Sequence, residues 1–512
     1  MSCLDFLECR VSETNRFALI VLLTSAAVLV AVLSNRLTER MKVPAPLLML
    51  AGAAVAANVV PDLAGLHERT VERVVTLALV LVLFDGGMHI GWSRFKAAAG
   101  PIAVVGVVGT FLTAAGGAVL LHVGFGLDWY LALLVATAVA PTDPAVVFSV
   151  LGRREIAGRS GTILEGESGA NDPVGIALMA SLIAAGGLNA TAFGQIGLQF
   201  LDQMVIGAAV GLLGAQVLLW FIRRVPLPSE ALYPLRTVAC AFMVYGVATL
   251  AHGSGFLAVF VVGILIGDST APYKREIERF HSALASVGEI AAFVVLGLTV
   301  DLNVLTHGEV LVPGVVLGLV LALVIRPVFV GLCLIPARLK SNERNFVVFA
   351  GLKGAVPILL GELLRAAHVP DAERLYGIVV VVVVFSVLVQ GGLVPIVAKL
   401  VHLPIRIREP EPWSFGVRLR EEPSGVQRLQ VSAGSRADGC TIEELSDLSG
   451  EIWVSIVVRH SQLVAVRPDT QLQAGDDVVV LADLELQDTL RTIFAAPPVA
   501  TGDAPRGRRS GG

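Results

Sequence analysis

The chain has 512 residues, 55% of them hydrophobic and only 16% charged, with a formal net charge of −4. Soluble domains average about 25% charged residues, so the composition excludes an ordinary soluble protein, and no basic surplus marks a nucleic-acid partner. The five cysteines (Cys3, Cys9, Cys240, Cys333 and Cys440) lack metal-ligand spacing, so neither a disulfide framework nor a zinc site is read.

Apolar runs of about 20 residues, the length that crosses a bilayer as a helix, recur between 17 and 401. Thirteen spans are expected, near 17–34, 44–60, 70–92, 98–121, 128–151, 161–187, 194–222, 231–251, 254–268, 282–300, 309–337, 345–366 and 374–401. The first is read as a retained span and not a signal peptide, because no small-residue cleavage signature accompanies it. Odd-numbered loops carry the cations, among them Arg36, Arg40, Lys42, Arg94, Arg153, Arg223 and Arg338, whereas the even loops hold chiefly Arg69, Arg365 and Arg374. The positive-inside rule then places odd loops and the C-terminus in the cytoplasm and the N-terminus outside. The expected fold is an all-α polytopic membrane protein embedded in the plasma (inner) membrane, with residues 1–402 forming its transmembrane domain.

The third span ends on Leu83-Phe84-Asp85-Gly86-Gly87. Asp85 falls toward the cytoplasmic half, where it extends an entrance funnel or pairs with Lys353, unless it is simply a helix-end residue near water. The fifth span contains Pro141-Thr142-Asp143-Pro144. Two prolines interrupt helical hydrogen bonding there, and freed backbone groups at membrane depth persist only where protein or a water-filled cavity satisfies them. The twelfth span carries a matching interruption, Gly351-Leu352-Lys353-Gly354-Ala355-Val356-Pro357. Paired broken spans point to an inverted-repeat transporter with a midplane site. Dividing the chain into spans two to seven and eight to thirteen puts the breaks fourth and fifth in their halves, so either the repeat is imperfect or a span edge is misplaced. Asp143 and Lys353 are expected to neutralise the dipole ends of the broken helices.

The sixth span holds Glu165-Gly166-Glu167-Ser168-Gly169-Ala170-Asn171-Asp172-Pro173. A carboxylate at membrane depth costs ~2.5–3.5 kcal/mol on insertion scales, so it is retained where a pathway or partner uses it. At about 100° per residue, Ser168 lies about 40° from Asp172 on a helix and Glu167 about 140° from it. Asp172, with Ser168 and Asn171, is therefore read as facing the transport pathway, as the place where a monovalent cation or a proton binds. Glu167 faces elsewhere and needs a cation of its own. Arg326, inside the apolar run 310–334, cannot discharge itself, so a Glu167–Arg326 pair joining the sixth and eleventh spans is expected; the alternative is that Arg326 snorkels to the cytoplasmic face. Glu289, Asp301, His89 and Glu362 fall near predicted ends or loops and receive no role.

Past His402 the composition changes. Residues 403–425 read as a linker, 426–495 as a small α+β domain and 496–512, rich in Pro, Gly and Arg, as a disordered tail. Strands are expected over 427–431, 452–458 and 477–481, helices over 441–445 and 484–494, and a turn at Ala474-Gly475-Asp476-Asp477.

In order and spacing, the motifs at 141–144, 166–173, Arg326-Pro327 and 351–357 resemble those of the monovalent cation:proton antiporter-1 family. The resemblance covers all thirteen spans. It implies a homodimer, with a dimerisation domain and a six-helix core of crossed broken helices in each protomer. It also implies a cation or proton on Asp172, with Thr142, Asp143 and Ser168 at or near the site and a structural pair at Glu167 and Arg326. An Asn-Asp pair at 171–172 goes with electroneutral one-for-one exchange in that family. Residues 457–459, 468–470 and 474–477 resemble the RCK C-terminal (TrkA-C) domain. That module is typical of the bacterial potassium/proton branch, where it is a dimeric regulatory domain. Asp85 and its neighbours look like that branch too. Lys353 stands where many relatives have Arg. The expectation is a secondary antiporter exchanging K⁺, or else Na⁺, for H⁺, with no cofactor and no enzyme chemistry, and with a small molecule or nucleotide as regulator at the C-terminal domain. A regulated channel or uniporter, or a membrane sensor, is the rival.

Overall fold

The computed structural model describes Ala18 and residues 45–60, 67–151, 154–156, 159–269, 271–403, 405–407, 426–449, 452–459, 462–482 and 486–495. The expected first span, apart from Ala18, and the expected tail at 496–512 lie outside the described residues. The chain divides into two compact units, residues 1–414 and 415–512.

The first unit is helical. It begins with α1 (Ala45–Val59), α2 (Glu68–Ala103), a π-helical turn (Val104–Gly109) and α3 (Thr110–Phe125). Next come α4 (Trp129–Ala138), α5 (Pro144–Leu151), strand β1 (Arg154–Ile156), α6 (Arg159–Ala185), α7 (Ala190–Arg224), α8 (Leu232–Leu250), α9 (Gly255–Gly267) and α10 (Lys274–Leu298). The rest is α11 (Leu302–Thr306), α12 (Gly308–Val320), a π turn (Leu321–Ile325), α13 (Arg326–Cys333), α14 (Ser341–Phe349), α15 (Ala355–Ala366), α16 (Ala372–Phe385), a third π turn (Ser386–Gly391), α17 (Gly392–Leu400) and strand β2 (Ile405–Ile407). Among the described residues, six helical segments are long and apolar enough to cross a membrane. Helix α7 shows what such a surface looks like. Phe193, Leu198, Leu201, Val205, Leu213 and Trp220 are all exposed along it, as befits a face that meets hydrocarbon.

The expected spans 70–92 and 98–121 run together as one segment, Glu68–Phe125. They are separated by a bend at Gly91, whose φ of 66° and ψ of 162° are essentially glycine-only. The Asp268 carboxylate fills the space a side chain at Gly91 would need, and its Oδ2 accepts the Ser93 N–H that the bend frees. Helix α9 packs on α2 and α1 on α10. The first of these contacts is close because a Cβ on Gly87 would fall 2.7 Å from Phe260 O, and one on Gly263 2.5 Å from Phe84 O. Glycines four apart on both helices (Gly87 and Gly91, Gly263 and Gly267) allow that approach, as small residues do at intramembrane helix interfaces.

Both proline- and glycine-marked interruptions are breaks. Helices α4 and α5 are separated by non-helical chain through Asp143, and α14 and α15 by non-helical chain through Gly354. The segments meet where the Asp143 N–H donates to Leu352 O at 2.8 Å. Each break follows a helix with a π turn (Val104–Gly109, Leu321–Ile325) and precedes a long helix, α6 or α16. The breaks therefore occupy the same local order. Helix α7 follows the first set and precedes the second, whereas a division at spans two to seven counts it in the first half.

The composition reads 403–425 as linker, but Ile405–Ile407 pairs antiparallel with Arg154–Ile156. Alternating isoleucines around Arg406 give this short stretch the β-branched pattern that suits pairing, and it ties the end of α17 to the α5–α6 connection.

The second unit is a four-stranded antiparallel sheet in the order β3 (Val426–Gln430), β6 (Asp477–Ala482), β4 (Ile452–Arg459), β5 (Gln462–Val464). Helices α18 (Ile442–Ser449) and α19 (Gln487–Phe494) pack on β4 and β3. Val454, Val457, Val478, Val480, Leu490 and Phe494 form its core. Arg459 grips the buried Asp476 through Nε and Nη2, each at 2.8 Å, and the turn beside it uses Gly475 at φ 92°.

Candidate functional site

The crossing of the two breaks brings four helix ends together at membrane depth. Each end exposes unpaired backbone groups and part of the helix macrodipole, and each is met by a specific side chain. Asp143 sits at the two N-terminal ends. Its Oδ1 accepts the Ala145 N–H of α5 at 2.8 Å, and its Oδ2 lies against Gly354, the residue that opens α15. Lys353 sits at the C-terminal end of α4, where its Nζ donates to Ala140 O at 3.0 Å and Pro141 O at 3.1 Å. The fourth end, that of α14, is shared. Arg326 donates from Nε to Val348 O at 2.8 Å and from Nη2 to Val347 O at 3.3 Å, while Gln390 Nε2 donates to Phe349 O at 2.6 Å.

Helix α6 runs beside this crossing. Its close seat depends on Gly106 in the first π turn, where a Cβ would fall 2.6 Å from Ala170 Cβ. Asn171 braces the first break from there. Its Nδ2 donates to Thr142 Oγ1 at 2.8 Å, and its Oδ1 accepts the Thr142 N–H at 3.3 Å. Asp172, one residue on, is buried, and its Oδ1 has no hydrogen-bond partner among the described residues. Ser168 is buried on the same stretch. Asp143 and Lys353 close the helix ends at the break that Asn171, the chain neighbour of Asp172, braces. The arrangement offers a free carboxylate oxygen among oxygen-bearing side chains, with one ammonium held nearby on backbone carbonyls. Such a site can take a monovalent cation or a proton.

Glu167 points away from Asp172. Its Oε1 lies 2.7 Å from Arg326 Nη2, and both side chains are buried. The structure thus brings Asn171, Thr142, Asp143 and Lys353 to the crossing, buries Asp172 and Ser168 on the α6 stretch that Asn171 ties to it, and pairs Glu167 with Arg326. Asp85 is not part of that group. Ser282 Oγ donates to its Oδ1 at 3.0 Å, and His89 Nδ1 lies 3.3 Å from its Oδ2. The expected alternative of an Asp85–Lys353 pair is therefore corrected: the carbonyls freed by the first break already engage the ammonium. Ser386 and Gln390 belong to the site's support and carried no expectation. Ser386 Oγ accepts the Lys353 N–H at 3.1 Å and donates to Gln390 Oε1 at 3.1 Å. Two polar residues four apart inside the run 374–401 were the available signal.

Of the residues given no role, Glu362 is buried against Arg365 at 2.9 Å, Asp301 caps α11 through the Asn303 N–H at 2.8 Å, and His89 contacts Asp85.

The transmembrane sodium/hydrogen exchanger family matches residues 17–400. The K⁺/H⁺ antiporter NhaP of Alkalimonas amylolytica is 32% identical over 497 residues, covering 93% of this chain and 83% of that protein. The K⁺/H⁺ antiporter NhaP2 of Shewanella sp. (strain MR-4) is 32% identical over 501 residues, 96% of this chain and 85% of that one. The solved sodium proton antiporter MjNhaP1 of Methanocaldococcus jannaschii shares the fold, with a TM-score of 0.64 and 20% identity over 75% of this chain and 99% of that one. Matched along the whole membrane unit, the chain belongs to the sodium/hydrogen exchanger family and is a cation/proton antiporter.

Proposed function

We propose that the chain exchanges K⁺, ahead of Na⁺, for H⁺ one for one at Asp172, and so regulates cytoplasmic pH, cation content and volume. The observation that carries this reading is the buried Asp172 Oδ1 left unpaired one residue beyond Asn171, which braces the first break at Thr142. An unpaired buried carboxylate oxygen is costly, and the cost is offset when a cation or a proton occupies it. Binding K⁺ to the carboxylate releases its proton, and binding a proton releases K⁺, so one group couples the two fluxes with no covalent step and no cofactor. Asn171 carries no charge beside Asp172, which supports electroneutral exchange. K⁺ is placed first because relatives at 32% identity are named K⁺/H⁺ antiporters.

The finer architecture follows the same reading. The matching order of helices about the two breaks, with α1 on α10 and α9 on α2, supports an inverted repeat of about thirteen spans. The cation-rich odd loops support a cytoplasmic C-terminus and an external N-terminus in the plasma membrane. The β3-β6-β4-β5 sheet with its two helices supports an RCK C-terminal-like regulatory domain over 426–495, in a homodimer, with a small molecule or nucleotide as its ligand.

The test is K⁺-dependent proton flux in proteoliposomes. Asp172→Asn is expected to abolish exchange while the protein remains folded in detergent. Proton-coupled K⁺ flux retained in that variant overturns the assignment.

A further inference from the structure

Glu289 lies sixteenth of the twenty-five residues of α10. At 1.5 Å per residue it is about 22 Å from the start of that helix, near the middle of a span. It is half-buried and makes no hydrogen bond or ion pair with any described residue. Intramembrane carboxylates without a structural partner are expensive, and they mark ion pathways.

Its surroundings say which pathway. Helix α10 packs against α15, and α15 opens at Gly354, against which the Asp143 carboxylate rests. Glu289 therefore stands on a helix that touches α15, the helix whose first turn meets the Asp143 carboxylate. Toward the start of α10, the same stripe of the helix carries Ser286 and Ser282, spaced three and seven residues before Glu289. Ser282 Oγ donates to Asp85, and Ser286 Oγ donates to Ser282 O at 2.8 Å. The distance along the helix from the Asp85 contact to Glu289 is about 10 Å. A line of oxygen-bearing side chains thus runs on α10 from the Asp85 contact to Glu289.

We propose that Glu289 is a third carboxylate of the transport path, which the cation contacts between the Asp85 end of α10 and the Asp172 site. This rests on the reading of Asp172 as the exchange site and adds α10 as the wall that delivers the cation to it. Attraction by a carboxylate at this depth acts on the approaching ion, so its loss is read in KM more than in kcat.

The experiment is K⁺- and Na⁺-dependent proton flux in proteoliposomes of the full chain, comparing wild type, Glu289→Gln, Glu289→Asp and Asp172→Asn. Glu289→Gln is expected to raise the cation KM about tenfold with kcat little changed, and Glu289→Asp is expected to fall between it and wild type. Glu289→Gln with wild-type KM and kcat, alongside inactive Asp172→Asn, overturns the role of Glu289 alone. Active Asp172→Asn instead overturns the exchange site. A purely structural Glu289 is shown by lowered melting temperature and kcat with KM unmoved, which also overturns the proposal. If Glu289→Gln does not fold, Glu289→Asp decides: a wild-type KM there is the overturning result.

Discussion

Arg326 binds Glu167 and the end of a broken helix with one guanidinium. Nη2 lies 2.7 Å from Glu167 Oε1, and Nε donates to Val348 O at 2.8 Å. The pair therefore fixes α6, which carries Asp172, to α14, which leads into the second break. Removing one partner of a buried pair leaves an uncompensated charge and costs ~3–5 kcal/mol, whereas replacing both with apolar groups is often neutral. Glu167→Gln is expected to lower the melting temperature in detergent substantially. The double variant Glu167→Gln/Arg326→Met is expected to recover part of that loss, though not all, because the α14 carbonyls lose their donor. An unchanged melting temperature in Glu167→Gln would count against the pair as a structural tie.

Gly354 makes a second, sharper prediction. A Cβ there would overlap the Asp143 carboxylate, which is held on the other side by the Ala145 N–H. The two breaks are only as far apart as a glycine allows. Gly354→Ala is expected to separate them, break the Asp143 N–H to Leu352 O bond of 2.8 Å, and abolish exchange even if protein is still recovered. Wild-type flux in Gly354→Ala would show that the crossing tolerates a looser fit.

What the sequence shows about this site divides by physics. Glu167 and Arg326 could be paired on paper because an unneutralised charge at membrane depth is not tolerated, so each demanded the other. Asn171 and Thr142 were legible as neighbours of a break, since interrupted helices need polar groups. Asp85 and Lys353 were not separable, because opposite charge gives no depth. Lys353 is engaged by Ala140 and Pro141 carbonyls, and no residue pattern announces a backbone acceptor. The Gly91 bend was hidden for a related reason: its cause, the Asp268 carboxylate, is 177 residues away in sequence. Strand β5, three residues of Gln-Leu-Val, is too short to show alternation. Glu289 was passed over as a residue near a helix end, although the expected span 282–300 already holds it eighth of nineteen residues. Because α10 starts at Lys274, it lies deeper still.

Lys353 separates charge from hydrogen bonding at the crossing. Its ammonium closes two carbonyls at the end of α4, and its backbone N–H is held by Ser386. In Lys353→Met the carbonyls of Ala140 and Pro141 lose their donor, and a buried polar group left unpaired costs ~1–3 kcal/mol. Lys353→Arg keeps the charge and offers a fork of donors in place of a point charge. Lys353→Met is expected to melt several degrees lower and to lose exchange. Lys353→Arg is expected to stay folded and keep a measurable part of the flux, because a guanidinium can still reach carbonyls one residue apart. Ser386→Ala, which removes only the brace on the backbone, is expected to fall between wild type and Lys353→Met in melting temperature. Lys353→Met as stable as wild type would mean that water, and not the ammonium, satisfies the end of α4, and the crossing would then be held by Asp143, Arg326, Gln390 and Asn171.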